Sequence, residues 1–353
     1  MERVELAYAR HVLGRADGHF CRLDPWGRFS LLARSDVAAW LAGGPPPARL
    51  GHAALLEVAG RPGAVFSILA HHGLHRRGAI AAVRRRGARF VPAVHDLIPL
   101  EWPETTRWLQ RRMTRARMRA VGQMANAVLV FSETVRQSLC RFCAAEGFSA
   151  PPMQVAPLAV DLPPPAAVAP AGPPYFLCVA NIELRKNHGL LLDAWQLLGP
   201  AAPDLIIVGR RSFGARKMLA RLDAGAFRGV IEERGHCPDA ELASLLAGAR
   251  ALLLPTLAEG FGIPVAEALS AGVPVICSDI PALREVGRGV PEFLSPGDPA
   301  GWAAAVAAYA APESSARAAQ LARLAGWRGA TWAEHFSQVE YFLAGLASGH
   351  RIP

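Results

Sequence analysis

From residue 175 onward, short apolar runs alternate with stretches in which apolar positions recur every third or fourth residue. YFLCVAN (175–181), DLIIVG (204–209), GVIEERGH (229–236), RALLLPT (250–256) and VPVICSD (273–279) read as strands. Between them, HGLLLDAWQLL (188–198), ARKMLARLD (215–223), DAELASLLAGA (239–249) and PVAEALSAG (264–272) carry the helical period. Nearly uninterrupted apolar strands, each followed by a helix, are what a parallel sheet covered on both faces requires. Before residue 150 the alternation is looser. AVFSILA (64–70), RFVPAVHD (89–96) and NAVLVFS (126–132) are separated by arginine-rich helical stretches, and the pattern predicts a second doubly wound α/β domain there. The proline-rich stretch APPMQVAPLAVDLPPPAAVAPAGPP (150–174) can be neither a helix nor a central strand. It divides the chain into a domain at 1–160, a linker at 161–174 and a domain at 175–330, with a helix in 331–353 expected to pack back toward the first domain.

Composition agrees with a globular α/β protein: of 353 residues, 52% are hydrophobic and 19% charged, which excludes a disordered or fibrous chain. No apolar run approaches the ~18 residues of a membrane span. The opening MERVELAYARHVLGR is too charged for a secretory leader, so a cytoplasmic location is expected. Six cysteines at irregular spacing make no disulfide framework. Cys140 and Cys143 form a lone CxxC, which reads as thiols on a helix and not as a zinc site. Charge is distributed unevenly. Residues 1–165 hold 22 Arg against 12 acidic side chains, a balance of +10, whereas residues 166–353 balance at −1. The first half is therefore expected to meet something anionic: a phospholipid surface, a nucleic acid or a phosphate-bearing substrate.

In doubly wound sheets, ligands bind beyond the carboxyl ends of the strands. The most specific segment there is LLLPTLAEGFGIPVAEALSAGVPVICSDIPALREVG. After its strand, a loop carries Glu259 and the Gly260–Phe261–Gly262 turn, Pro264 stands where a helix begins, and Glu267 lies within that helix. Backbone amides of Phe261, Gly262 and Ile263 at a helix N-terminus suit an anion or sugar hydroxyls. Two carboxylates eight positions apart can accept hydrogen bonds from different parts of an elongated ligand.

This segment resembles the Glu-x7-Glu signature of the retaining glycosyltransferases of family 4. The resemblance extends through CVANIELRKNHGLLLDAW, LIIVGRR with its Gly209, RGHCPDAELASLLAGARALLLPT, HHGLHR and HDLIPLEWPE, and so covers most of residues 65–290. The last two pieces are similar to the bacterial branch that adds mannose, rhamnose or similar sugars to cell-surface polysaccharides. It implies the GT-B fold, two facing Rossmann-like domains, and a nucleotide diphosphate sugar as donor, with no metal and no other cofactor. Glu267 would hold the ribose, Glu259 with the Phe261–Gly262–Ile263 amides the donor sugar, and Lys186 the diphosphate. Where family members often carry a second basic residue, five positions before that lysine, this chain has Asn181, and Arg185 is the candidate substitute. Gly209 would lie beside the donor. His95 would hydrogen-bond the sugar or the acceptor, and Asp96 with one of His71 and His72 would line the acceptor side. The family's usual opening strand and glycine-rich turn have no counterpart before the helix at the start of this sequence, so the first strand of the first domain is expected to be missing.

Six arginines fall between Arg107 and Arg119. On a helical wheel, Leu109, Met113, Ala116, Ala120 and Met124 form the arc expected to pack inward, with Trp108 and Met118 among the arginines. An anionic membrane surface and a lipid-linked or polysaccharide acceptor would fit such a helix. The fold and the charge each fit another class. A phosphorylase or nucleotide-sugar epimerase would share the fold. A nucleic-acid-binding protein would share the charge, but it lacks interleaved aromatics, so no nucleic-acid partner is expected.

Overall fold

The computed structural model describes residues 3–163, 174–212 and 214–348. Most of the expected linker, 164–173, lies outside these residues. The chain divides into two compact units. One comprises residues 1–100, 109–158 and 332–353, the other residues 101–108 and 159–331.

The second unit follows the apolar pattern closely. Its six strands lie in the order Ile231–Arg234, Asp204–Val208, Tyr175–Val179, Ala251–Leu254, Val275–Ser278 and Glu292–Leu294. All are parallel. Leu252, Leu254, Leu177 and Val208 pack into one core layer and Phe176, Cys178, Leu253 and Ile207 into another. Successive side chains along the four inner strands thus enter opposite cores, which is why these are almost wholly apolar, whereas the edge strands Ile231–Arg234 and Glu292–Leu294 carry glutamates and are only partly buried. Strand order runs outward in both directions from the Tyr175–Val179/Ala251–Leu254 pair. This is the topological switch point, and in such sheets ligands bind outside the carboxyl ends of the strands at that place.

The first unit begins with the helix Arg3–Leu13, followed by an antiparallel sheet of Phe20–Leu23, Phe29–Leu32 and Arg49–Gly51 that the apolar pattern does not reveal. Parallel strands follow: Val65–Phe66 beside Arg89–Phe90, and Ala93–Val94, Val128–Val130 and Met153–Val155 in sequence. The two groups are continuous through backbone hydrogen bonds from Val91 to Phe66 and from Ala93 to Ile68, each 2.9 Å. Phe66, Ile80, Phe90, Val94, Met118, Val121 and Val128 fill the core beneath. The helix Trp332–Ser348 belongs to this unit. Its His335 donates from Nδ1 to the Pro157 carbonyl at 3.0 Å, while Nε2 accepts the Tyr8 hydroxyl at 2.8 Å.

The helix Trp108–Met124 corrects one expectation. Thr114, Met118, Ala120, Val121 and Met124 are its buried residues. Leu109 is 55% exposed and Ala116 is also exposed, so neither packs inward, and Met118 is a core residue instead of one among the arginines. The buried arc is rotated toward positions 114, 118 and 121.

Among the described residues no helix is long and apolar enough to cross a membrane, and no group of three or more His, Cys, Asp or Glu could hold a metal ion.

Candidate functional site

Two loops meet at the switch point of the second unit. After Tyr175–Val179 the chain makes a short turn, Leu184–Lys186, and Asn187 adopts a left-handed conformation with φ 55° before the helix His188–Leu198. Asparagine tolerates that region better than most residues. Its side-chain amide donates to the Pro255 carbonyl at 3.1 Å and the Pro296 carbonyl at 2.9 Å. Asn187 therefore ties the lysine-bearing turn to the loop after Ala251–Leu254, a role that sequence reading missed although an Asn directly before an apolar helix is a signal for it. The Leu257 amide donates to the Arg185 carbonyl at 2.9 Å, and buried Thr256 donates to the Ala258 carbonyl at 3.1 Å.

These ties bring Glu259 against two cations. Lys186 Nζ donates to Glu259 Oε1 at 2.6 Å and Arg185 Nη1 to Oε2 at 3.3 Å, and all three side chains are largely buried. Arg185 also donates to the Ala258 carbonyl at 2.7 Å and to Glu183 at 2.7 Å. Burial pushes the Glu259 carboxyl upward, but the charges of Lys186 and Arg185 outweigh it, and the group lies below its ordinary value. Asn181 is exposed, and its side-chain oxygen accepts the Arg210 amide at 3.2 Å. Arg185, and not position 181, is what joins Lys186 here.

The glycine turn leads into the helix Ile263–Ser270, with Gly262 at φ 103° immediately before it and Pro264 in its first turn. Among the described residues, the amides of Phe261, Gly262 and Ile263 donate to no backbone carbonyl, as the first turn of a helix leaves them. Glu267, on the same helix, is only 4% exposed. Gly209 closes the Asp204–Val208 strand where it runs against the neighbouring chain segment. A Cβ there would stand 1.9 Å from the Ala180 carbonyl oxygen. Arg211, two positions on, is spoken for by Asp223 and Glu233 at 2.7 and 2.8 Å. His188 is 1% exposed, and burial, with the charge of Lys186 behind it, lowers its pKa to about 4.

In the first unit, His95 donates from Nε2 to the Leu69 carbonyl at 2.6 Å. A carbonyl can only accept, so Nε2 carries a proton, and in the neutral ring Nδ1 is the acceptor. The His95 backbone amide donates to His71 Nε2 at 3.3 Å, and the two rings meet edge to face. Burial, followed by the charges of His95, Arg117 and His72, lowers His71 to about 3, so it is neutral at physiological pH. Asp96 Oδ1 accepts the Ile98 amide at 3.1 Å, and His72 is exposed. His71, not His72, is therefore the one built into the His95 network.

Residues 173–311 match the family model described as Glycosyl transferases group 1. Over 115 residues the chain is 39% identical to the O-antigen chain mannosyltransferase B of Escherichia coli, a stretch covering 32% of this chain and 30% of that protein. It is 26% identical over 275 residues to the MMP alpha-(1->4)-mannosyltransferase of Mycolicibacterium hassiacum, covering 71% of this chain and 62% of that one. The chain thus spans less than two thirds of the length of either relative. Among solved structures it is similar to Anabaena Alr3699/HepE in complex with UDP, with a TM-score of 0.65 at 17% identity, over 83% of this chain and 81% of that one.

Proposed function

We propose, from the premise that residues 173–311 form a glycosyl transferases group 1 domain on a chain of GT-B fold, that this protein is a retaining glycosyltransferase. Its donor is a nucleotide diphosphate sugar carrying a mannose- or rhamnose-like hexose, and its acceptor a lipid-linked or polysaccharide glycan of the cell surface. The observation that carries this reading is the Lys186–Glu259–Arg185 cluster beside the Gly262 helix start at the switch point. When the glycosidic bond to the diphosphate breaks, negative charge grows on the leaving group. Lys186 and Arg185, with the open amides of the helix start, are the groups that would stabilise it. The cations serve where other folds use a metal, and no metal is required in this reading. Glu267 accepts the ribose hydroxyls, and Glu259 those of the donor sugar. The 1.9 Å approach to the Ala180 carbonyl leaves no room for a side chain at Gly209, which supports a backbone-lined contact with the donor there. His95, its Nε2 committed to Leu69, offers Nδ1 to a sugar or acceptor hydroxyl without needing a charge.

The similarity of the relatives, two mannosyltransferases, supports a hexose of the mannose type. The helix Trp108–Met124 supports peripheral attachment to the inner face of the cell membrane. Trp108 is 64% exposed beside exposed Leu109, Arg111, Arg112 and Arg115, a combination suited to an anionic interface. The deciding experiment is mass spectrometry of donor hydrolysis and transfer across a panel of nucleotide sugars, with Lys186→Ala alongside. One donor should be turned over, in the presence of excess chelator, and Lys186→Ala should lose turnover while melting normally. Turnover of none, or dependence on free phosphate in place of an acceptor, would overturn the assignment.

A further inference from the structure

Arg117 and His75 lie in the first unit, and neither is among the residues assigned to donor, sugar or acceptor above. Arg117 Nε and His75 Nδ1 are buried and have no hydrogen-bond partner among the described residues. No described carboxylate pairs with the Arg117 guanidinium. The segments that carry the two are held together: Arg77 Nη1, two positions after His75, donates to Gln123 Oε1 on the helix of Arg117 at 2.6 Å. Burial lowers the guanidinium from its usual value. Beyond burial, the charges felt by His75 are those of Arg76, Arg117 and His72, and those felt by His71 are His95, Arg117 and His72. Every one of them is basic. Arg76 and His72, whose charges act on His75, are exposed.

An arginine partly withdrawn from water, with a buried N–H unmet and no counter-charge, costs free energy that a bound anion would offset. A guanidinium presents planar, paired donors that match a phosphoryl group, and imidazole nitrogens to one side can meet its remaining oxygens. We propose that Arg117 and His75, with exposed Arg76 and His72, form a binding site for a phosphoryl group borne by the acceptor. This rests on the reading of the first unit as the acceptor side. It narrows the acceptor to a phosphorylated molecule, whether a soluble sugar phosphate or a phospholipid headgroup.

The test is 15N–1H NMR of the full chain, following the Arg117 Nε–H and the His75 imidazole as inorganic phosphate, glycerol 3-phosphate, monomeric dihexanoylphosphatidylglycerol or acetate is added. Saturable shifts at both residues are expected with phosphate compounds, and the His75 pKa should rise, because an anion favours the imidazolium. Preference for glycerol 3-phosphate would assign the site to a phosphate monoester, and equal binding of the short-chain lipid to a phospholipid headgroup. Arg117→Gln should weaken binding by about tenfold or more, as loss of a charge-assisted bond predicts, with Arg117→Lys retaining part of it. Lys186→Ala should leave it unchanged, which separates this site from the second unit's. Absence of a shift at Arg117 at about 50 mM phosphate, well above the millimolar range of weak binding, would overturn the proposal. So would an equal response to acetate, or unchanged affinity in Arg117→Gln. Phosphate binding at Arg117 in a chain that transfers no sugar would sink the glycosyltransferase reading and leave this site standing.

Discussion

Glu259 is already paired with Lys186 and Arg185, so a diphosphate bound there as proposed would have to compete with a carboxylate in place. Glu267 is different in kind, a buried carboxylate one helical turn inside. Glu267→Gln replaces a charged acceptor by a neutral one and should weaken nucleoside diphosphate binding by roughly 1–3 kcal/mol, readable by calorimetry. Unchanged affinity would remove Glu267 from the ribose. His188 makes a prediction about pH. Its pKa falls from 6.5 toward about 4 on folding, so the folded state holds it neutral. A base with a depressed pKa contributes stability that is full above 6.5 and is lost as the pH falls through 6.5 toward 4. Unfolding free energy should therefore decline across that window by on the order of 3 kcal/mol more in the native chain than in His188→Gln. Parallel curves for the two would show that His188 is not held neutral. Of these residues, Glu259, Glu267 and Lys186 are legible in the sequence because the chemistry sits at strand ends marked by apolar runs. His188 and Arg117 are not, because whether a ring or a guanidinium finds a partner depends on packing between distant segments.

Among elements, the turn into Ile263–Ser270 is the most constrained. Gly262 combines φ 103° with a would-be Cβ 2.5 Å from the Leu283 side chain. Gly262→Ala adds strain in a backbone region that alanine avoids, together with a clash, and should cost about 1–3 kcal/mol in thermal or denaturant unfolding. A variant as stable as the parent would mean the turn relaxes without cost. Five of the second unit's strands could be read from the sequence, the inner ones because both faces are buried and nearly every position is apolar, whereas the short, partly buried edge strand Glu292–Leu294 could not. The first unit's opening sheet could not: Phe20–Leu23 is half-exposed and Arg49–Gly51 is only three residues long. The helix Trp108–Met124 shows the limit of wheel arguments, since a buried Thr114 and an exposed Leu109 invert the polarity that the wheel assumes.

For the molecule as a whole, the first 165 residues carry a balance of +10 and the rest −1, so electrostatic attachment would act on one part of the chain only. Each arginine near an anionic surface contributes on the order of 1 kcal/mol, screened within about 8 Å at physiological salt. Vesicle binding should therefore require anionic lipid, weaken steeply with salt, and fall when Arg111, Arg112 and Arg115 become Gln. Trp108 fluorescence should shift to the blue on docking. Equal binding to neutral and anionic vesicles would reduce the arginines to a solvated face.

The place of Trp332–Ser348 in the first unit has a consequence for synthesis. Tyr8 waits for His335, so during translation the early residues emerge long before the segment that completes their packing. The second unit, complete by residue 331, is finished before the segment 332–348 is made. A released chain truncated just short of residue 332 should present a protease-resistant second unit and a first unit still open to cleavage and to chaperones. Between the two units, order of emergence and order of completion are then reversed.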